Sequence, residues 1–203
     1  MEKPEPPPQS DDRRAALAAL VRKAARGSRT DMEELLVRAQ EVAYRFSLLV
    51  CGHPQDAEDV MQDALLNTYR HVSELSEPEA FRTWLYTTVR NACRMKRRRR
   101  AGEPSQFVAI DDQPAEGGAA DRPVDVADSS RPADERVMDR WVDQRLRRAL
   151  LTLPPGHRMI VVLREIEGLS TKEVAAITKI SEANVKARLH RARMMLRRQL
   201  EDL

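Results

Sequence analysis

Apolar side chains recur every three or four positions through most of this chain, which is the spacing that gives an α-helix one buried face. The clearest example starts near Asp31 and keeps this spacing from Leu35 to Val50, before Gly52 and Pro54 stop the helix. Alternating runs of β-branched residues are scarce, so no β-strand is expected. The pattern predicts an all-α protein of two small helical domains.

The first domain is predicted over residues 11–100 as a helical bundle. Breakers separate four helices: Asp11 to Arg26, the helix that ends before Gly52, a helix over QDAEDVMQDALLNTYRHV, and FRTWLYTTVRNACRMKRRRR after a turn at Ser73 to Pro78. The buried stripe predicted for the fourth helix comprises Phe81, Trp84, Leu85, Thr88, Val89 and Ala92.

Two segments lack the apolar residues that a core needs. Residues 1–10 contain four prolines and are expected to be a disordered tail. Residues 101–132 are rich in Pro, Gly, Ala and Asp, which predicts a flexible acidic linker that is sensitive to proteases between Gly102 and Arg131.

The second domain is predicted over residues 133–203, where two helices precede a tight pair. The first helix begins near Ala133 and breaks at Pro154, and the second runs from His157 to Glu167. Ser170 and Glu173 then have capping-box spacing, so a short helix should begin at Thr171.

The last helix completes a helix-turn-helix pattern. Ser181 is a second N-cap, and Val185 and Leu189 point inward. The usual turn glycine is replaced by Lys179, whose β-carbon costs about 1 kcal/mol in a left-handed conformation, so a slightly opened turn is expected. The alternative is an ordinary helical hairpin with a solvated basic face.

Charge is segregated along the chain although the net charge is only +3. Residues 90–100 carry seven cations and no acid, which suits a polyphosphate partner, whereas residues 101–135 carry nine acids against two cations. No apolar run is long enough to span a bilayer and the amino terminus has no signal-peptide pattern, so a cytoplasmic protein without membrane insertion is expected.

The two cysteines are predicted to be isolated thiols. In a reducing compartment Cys51 and Cys93 are most simply small core residues, and a metal site made by Cys51 and His53 is disfavoured because a structural zinc needs four ligands. No catalytic constellation, metal site or cofactor motif is found, so an enzyme is not expected.

Four segments in order resemble a known family. The segments DAEDVMQDALLNTYR, FRTWLYTTVRNACRMKRRRR, LPPGHRMIVVLREIEGLSTKEVAAI and ISEANVKARLHRARMMLR are similar to the two domains of a bacterial extracytoplasmic-function sigma factor of the sigma-70 family, group 4. The resemblance implies a promoter-specificity subunit of RNA polymerase. Its first domain would bind the core enzyme and open the minus-10 element, its second would bind the minus-35 element, and an anti-sigma factor would control it.

The resemblance also assigns a polymerase-binding face. An acidic rim around one apolar anchor suits the basic helical partner that the family offers, the clamp helices of the β′ subunit, and the second domain would meet the β subunit. A solvated helix face is the alternative. The residues assigned to core binding are Asp56, Asp59, Gln62, Asp63 and Leu66.

Two DNA-binding sets follow from the same resemblance. The loop from Ser73 to Ala80 resembles one that captures a flipped base, although core packing is preferred for Trp84. In the second domain, lysine and arginine could bind either guanine edges or phosphates, and this choice stays open. The minus-10 set is Trp84, Arg90, Asn91, Arg94 and Arg97, and the minus-35 set is Ser181, Asn184, Lys186, Ala187, Arg188, His190 and Arg191.

Other protein classes explain less of the chain. A stand-alone helix-turn-helix repressor would bring a dimerisation surface or ligand pocket, and neither is recognised. A structural or RNA-binding helical protein would leave the helix-turn-helix unexplained.

Overall fold

The computed structural model describes residues 10–100 and 145–201, and these ranges contain eight α-helices and no strand. The predicted all-α class is thereby confirmed. The predictions for the tail before residue 10 and for the linker lie outside the described residues. The helices are α1 (Ser10–Ala25), α2 (Arg29–Cys51), α3 (Pro54–His71), α4 (Phe81–Arg100), α5 (145–152), α6 (Pro155–Val161), α7 (Thr171–Thr178) and α8 (Glu182–Glu201).

Local signals in the sequence set the helix ends of the first domain. Ser28 caps α2 by accepting a hydrogen bond from the backbone N–H of Asp31, and Gly52 ends α2 in the left-handed conformation with φ of 82°. Pro54 then occupies the first turn of α3, where its missing N–H costs nothing. Between α3 and α4 the chain makes two short 3₁₀ turns, Val72–Glu74 and Pro78–Ala80.

The core of the first domain forms where α2, α3 and α4 meet. Phe46 and Tyr86 pack edge to face with ring centroids 5.0 Å apart, and both rings are fully buried. The buried stripe of α4 differs from the predicted one, because Trp84, Thr88 and Ala92 are only half-buried. The stripe consists instead of Phe81, Leu85, Tyr86, Val89, Arg90 and Cys93.

The cysteines are not isolated thiols, and that prediction was wrong. Cys51 at the end of α2 and Cys93 in α4 form a disulfide with a Cα–Cα distance of 5.3 Å across 42 positions of sequence. The spacing carried no signal because the two residues meet only through the packing of α2 on α4. Cys51 is therefore bonded to Cys93 and does not form a metal pair with His53.

The second domain is built around the helix-turn-helix. The capping box of Ser170 and Glu173 is present at the start of α7, as predicted. Lys179 ends α7 with φ of 62° and ψ of 34°, so the turn is a regular left-handed turn and has not opened. The predicted helix from His157 to Glu167 is α6 followed by a π-helical turn, Val162–Ile166.

The two domains pack directly against each other. Helix α7 lies on α4, while α6 and the π-helical turn lie on α2. Gly52 is a point of close approach, because a β-carbon there would lie 3.2 Å from Nη1 of Arg158 and 3.3 Å from the side chain of Leu151. Within the described ranges, no helix has the length and apolar character that crossing a membrane requires.

Candidate functional site

Helix α3 presents an exposed acidic face with apolar side chains in it. Asp59, Gln62 and Asp63 are exposed, and Leu66 beside them keeps 52% of its surface exposed. Tyr69, which the sequence analysis did not select, is 63% exposed. Because Tyr69 and Leu66 lie three positions apart on one helix, they form a small exposed apolar pair, and the pattern of exposure is what identifies it.

One predicted member of this face is buried. Asp56 is 9% exposed and lies in the first turn of α3, one turn before Asp59 on the same side of the helix. Asp59 is in an ion pair with Lys96 of α4, with 2.6 Å between Oδ2 and Nζ. That pair lies at the surface and contributes little to stability.

An open groove with a volume of about 770 Å³ is lined by α3, α4 and the loop that joins these two helices. Trp84 lines it and stacks on the buried Phe81, with ring centroids 6.0 Å apart. Trp84 is therefore half-buried, packed on the core with one side and open to the groove with the other. The other groove residues are Asp63, Asn67, His71, Glu74, Leu75, Ser76, Glu77, Ala80, Thr88, Asn91, Ala92 and Met95.

Some of the predicted minus-10 residues of α4 are exposed to solvent, and one is buried against the second domain. Asn91 is exposed and lines the groove, and Arg97 is exposed at the end of the helix. Arg90 is only 4% exposed, and its Nη2 donates to the carbonyl oxygen of Thr178 at 3.2 Å. Burial, with a smaller contribution from the charge of Arg94, lowers the pKa of Arg90.

Arg94 is intermediate in exposure between the exposed Asn91 and Arg97 and the buried Arg90. It is half-buried, and burial together with the neighbouring charges of Arg98 and Arg97 lowers its pKa. Like charges along one helix repel one another, and a polyanion offsets that repulsion. The carboxyl-terminal half of α4 is therefore suited to a polyanionic partner.

Helix α8 presents most of the predicted minus-35 residues to solvent. Val185, Leu189 and Ala192 form its buried side, and Oγ of Ser181 caps the helix by accepting from the N–H of Asn184. Arg188 is half-buried. The exposed members are Ser181, Asn184, Lys186, Ala187, His190 and Arg191.

Sequence reasoning missed the residues that join the domains. The carboxylate of Glu167 is 2% exposed and accepts two hydrogen bonds from Arg45, at 3.1 Å from Nε and 3.0 Å from Nη2. The hydroxyl of Tyr86 donates to the same carboxylate at 2.5 Å, and Arg82 donates to the backbone carbonyl of Glu167. These contacts cross from one domain to the other, so no sequence spacing reveals them.

These contacts shift the pKa values of two of the side chains that make them. The hydrogen bond to Glu167 raises the pKa of Arg45. Burial, reinforced by the charge of Glu167, raises the pKa of the Tyr86 hydroxyl, which stays protonated and donates.

Comparisons with known proteins cover both domains. The model for sigma-70 region 2 matches residues 32–103, and the model for sigma-70 region 4 matches residues 143–196. The chain is 27% identical to the extracytoplasmic-function (ECF) sigma factor SigW of Bacillus subtilis, over 90% of this chain and 96% of that protein.

Solved structures share the fold. CnrH, in complex with the cytosolic domain of CnrY, matches with a TM-score of 0.62 and 25% identity over 92% of this chain and 98% of CnrH. The sigma factor RpoE of Bartonella quintana, solved with the anti-sigma factor NepR, has a TM-score of 0.60 at 24% identity, over 84% of this chain and 97% of RpoE, which supports the fold alone.

The family follows from one relative that is similar along almost its whole length. The ECF sigma-E factor of Escherichia coli K12 is 30% identical over 91% of this chain and 94% of that protein. With region 2 and region 4 matched in the expected order, the chain belongs to the ECF family of RNA polymerase sigma factors.

Proposed function

We propose that this protein is an alternative sigma factor, of group 4, which binds core RNA polymerase in the cytoplasm and directs promoter recognition, promoter melting and transcription initiation. It would carry no catalysis of its own. The observation that carries the proposal is that both sigma-70 regions are matched, region 2 on the first set of helices and region 4 on the second.

The exposed face of α3 is the proposed site for the clamp helices of the β′ subunit. Leu66 and Tyr69 supply apolar anchors, while Asp59 and Asp63 supply negative charge around them. Exposed apolar side chains rimmed by charge are typical of a protein-binding surface, and the acids favour a basic partner. Contact of the second domain with the β subunit belongs to the same proposal.

The groove beside Trp84 is the proposed site for an unpaired base of the minus-10 element. Its volume of about 770 Å³ is that of a small-molecule cleft, and Asn91 and His71 offer hydrogen-bonding groups there. A flipped base needs stacking and hydrogen bonds to offset the cost of unstacking it. Arg94 and Arg97 on the same helix would neutralise the backbone.

The exposed side of α8 is the proposed surface for the minus-35 element. A recognition helix inserts into the major groove, where its exposed cations meet base edges and phosphates. Control by an anti-sigma factor is proposed too, as the family resemblance implies, and CnrH, which shares this fold, was solved with a bound partner, the cytosolic domain of CnrY.

Core binding and promoter-dependent transcription test the proposal together. The wild-type chain should direct core polymerase to initiate on a subset of promoters from a genomic library. Reversing the charge of the α3 face with Asp59→Lys and Asp63→Lys should abolish retention on immobilised core without changing helix content.

Two acids of α2 provide a matched control. Glu33 and Glu34 are exposed and pair only locally, with Arg29 and Arg38, so the double change Glu33→Lys and Glu34→Lys alters charge equally. This control should bind core normally. Wild-type retention of the α3 variant would refute the proposed core-binding face, and absence of promoter-dependent transcription by the wild-type chain would refute the proposed function.

A further inference from the structure

Several polar contacts between the described parts of the two domains have their donor in the first domain and their acceptor in the second. The first domain supplies the donors, which include Arg45, Tyr86 and Arg90. The second domain supplies acceptors, the carboxylate of Glu167 and the carbonyl of Thr178. Arg14 of α1 adds an exposed ion pair with Glu173, 3.3 Å long. A cationic face of the first domain is thus covered by anionic and carbonyl groups of the same chain.

The carboxylate of Glu167 is buried at the contact between the two domains. Its side-chain donors, Arg45 and Tyr86, both belong to the first domain. A buried carboxylate without partners is strongly unfavourable, so Glu167 has to return to water when the domains separate. The site therefore favours the docked arrangement by specific contacts and not merely by apolar packing.

The docked arrangement uses a residue that DNA would need. Arg90 belongs to the predicted minus-10 set, yet here it is buried against the carbonyl end of α7. The negative end of a helix dipole and a DNA phosphate attract a guanidinium in the same way. The second domain and promoter DNA would thus compete for Arg90.

The docked arrangement also has the wrong dimensions for a promoter complex. Elements centred near minus 10 and minus 35 lie about 25 base pairs apart, or about 85 Å along B-DNA. Domains of this size have radii of gyration of about 12 Å and outer radii of about 15 Å, so the centres of two touching domains are only about 30 Å apart. One chain cannot occupy both elements while α7 rests on α4.

We propose that the cationic face of the first domain is a docking surface for the second domain of the same chain, and that the contact of Glu167 with Arg45 and Tyr86 latches the free protein in a closed form that excludes promoter DNA. This inference deepens the proposed function and rests on it for the competition with DNA. Opening the latch would accompany assembly with core polymerase.

The test compares substitutions on both sides of the latch in the full chain. Glu167→Ala and Arg45→Ala should each increase the radius of gyration measured by small-angle X-ray scattering. Each should also raise the affinity of the free chain for a minus-10 fork-junction DNA about tenfold, and the double variant should gain little more because both changes break one contact. Circular dichroism checks that each variant remains helical.

Glu165→Ala is the matched control. Glu165 lies two residues away, is exposed, and pairs with Arg193 of its own domain at 2.6 Å. Its replacement should leave the scattering and the DNA affinity unchanged. Tyr86→Phe, which removes only the hydroxyl, keeps the test valid if Glu167→Ala unfolds the second domain.

Failure of the latch is distinguishable from failure of the proposed function. Folded Arg45→Ala and Tyr86→Phe variants with the wild-type radius of gyration would overturn the latch, even if transcription with core is normal. Scattering needs neither polymerase nor DNA, so an expanded Arg45→Ala variant would support the latch whatever the outcome of the transcription experiment.

Discussion

Lys179 adopts the left-handed backbone conformation that the turn requires, although its β-carbon disfavours that conformation. Its N–H donates to the carbonyl of Ala175 at 2.9 Å, so the turn between α7 and α8 is fully formed despite the β-carbon. The docking angle of α8 is therefore set by the usual left-handed turn. The strain is carried by the backbone of one lysine, of the order of 1 kcal/mol.

Lys179→Gly should accordingly stabilise the second domain by about 0.5 to 1 kcal/mol, since glycine adopts positive φ without steric cost. Lys172→Gly, the same exchange at an exposed right-handed position of α7, should destabilise it. Urea denaturation of the full chain measures both. Equal destabilisation by the two changes would show that the turn stores no strain.

Lys186 and Arg191 occupy opposite edges of the exposed side of α8, about 140° apart around the helix axis. They cannot contact the same base edges. If each binds bases, replacement by alanine should cost about 1 to 3 kcal/mol on the correct minus-35 sequence and much less on a scrambled one.

This prediction is checked with holoenzyme on paired promoters that differ only in the minus-35 element, at several salt concentrations. Equal losses on both promoters, with a shallower salt dependence, would assign the residue to phosphate contact. Arg197→Ala, an exposed position further along α8 outside the predicted set, serves as the reference.

At the scale of elements, the disulfide determines how firmly α4 is held. It closes a loop of 42 residues between α2 and α4, and such a cross-link stabilises a protein chiefly by restricting the unfolded chain. The segment of α4 that follows Cys93 contains Arg94 and Arg97. The disulfide therefore anchors the helix next to its predicted DNA-binding residues.

Reduction or Cys93→Ala should lower the stability of the first domain by about 2 to 4 kcal/mol. Urea denaturation with and without dithiothreitol measures the effect. The double variant Cys51→Ala and Cys93→Ala should no longer respond to the reductant. A wild-type chain that is equally stable in both conditions would contradict the cross-link.

At the scale of the whole molecule, the two domains are joined in two ways. The acidic segment joins them covalently, and the latch joins them by non-covalent contacts. The composition of residues 102–131 predicts that a protease cleaves there. After such a cut only non-covalent contacts hold the fragments together, and these include the ion pair of the buried Glu167 with the partly exposed Arg45.

Cleaved wild-type protein should therefore elute from a sizing column as one complex, whereas cleaved Glu167→Ala should elute as two fragments. Cleaved Glu165→Ala should behave as wild type. Resistance of the whole segment to cleavage in the free chain would contradict the predicted domain boundaries, and separation of the wild-type fragments would show that the latch is weak.

The sequence by itself determined the helices, because their signals are local. Apolar spacing, the caps at Ser170 and Ser181, and the breaks at Gly52 and Pro54 act over a few residues, and each predicts an end that the structure has. The helix-turn-helix was predictable for the same reason. Its inward residues Val185 and Leu189 lie four positions apart on one helix.

Tertiary structure decided everything that depends on residues distant in sequence. Cys51 meets Cys93, and Glu167 meets Arg45 and Tyr86, only because helices from separate parts of the chain pack together. The buried side of α4 also differs from the predicted one, because α7 packs against α4 and covers Arg90. A local pattern indicates which residues prefer to be buried. It does not indicate which distant helix will cover them, because that depends on how the whole chain packs. The latch could therefore not be predicted from sequence.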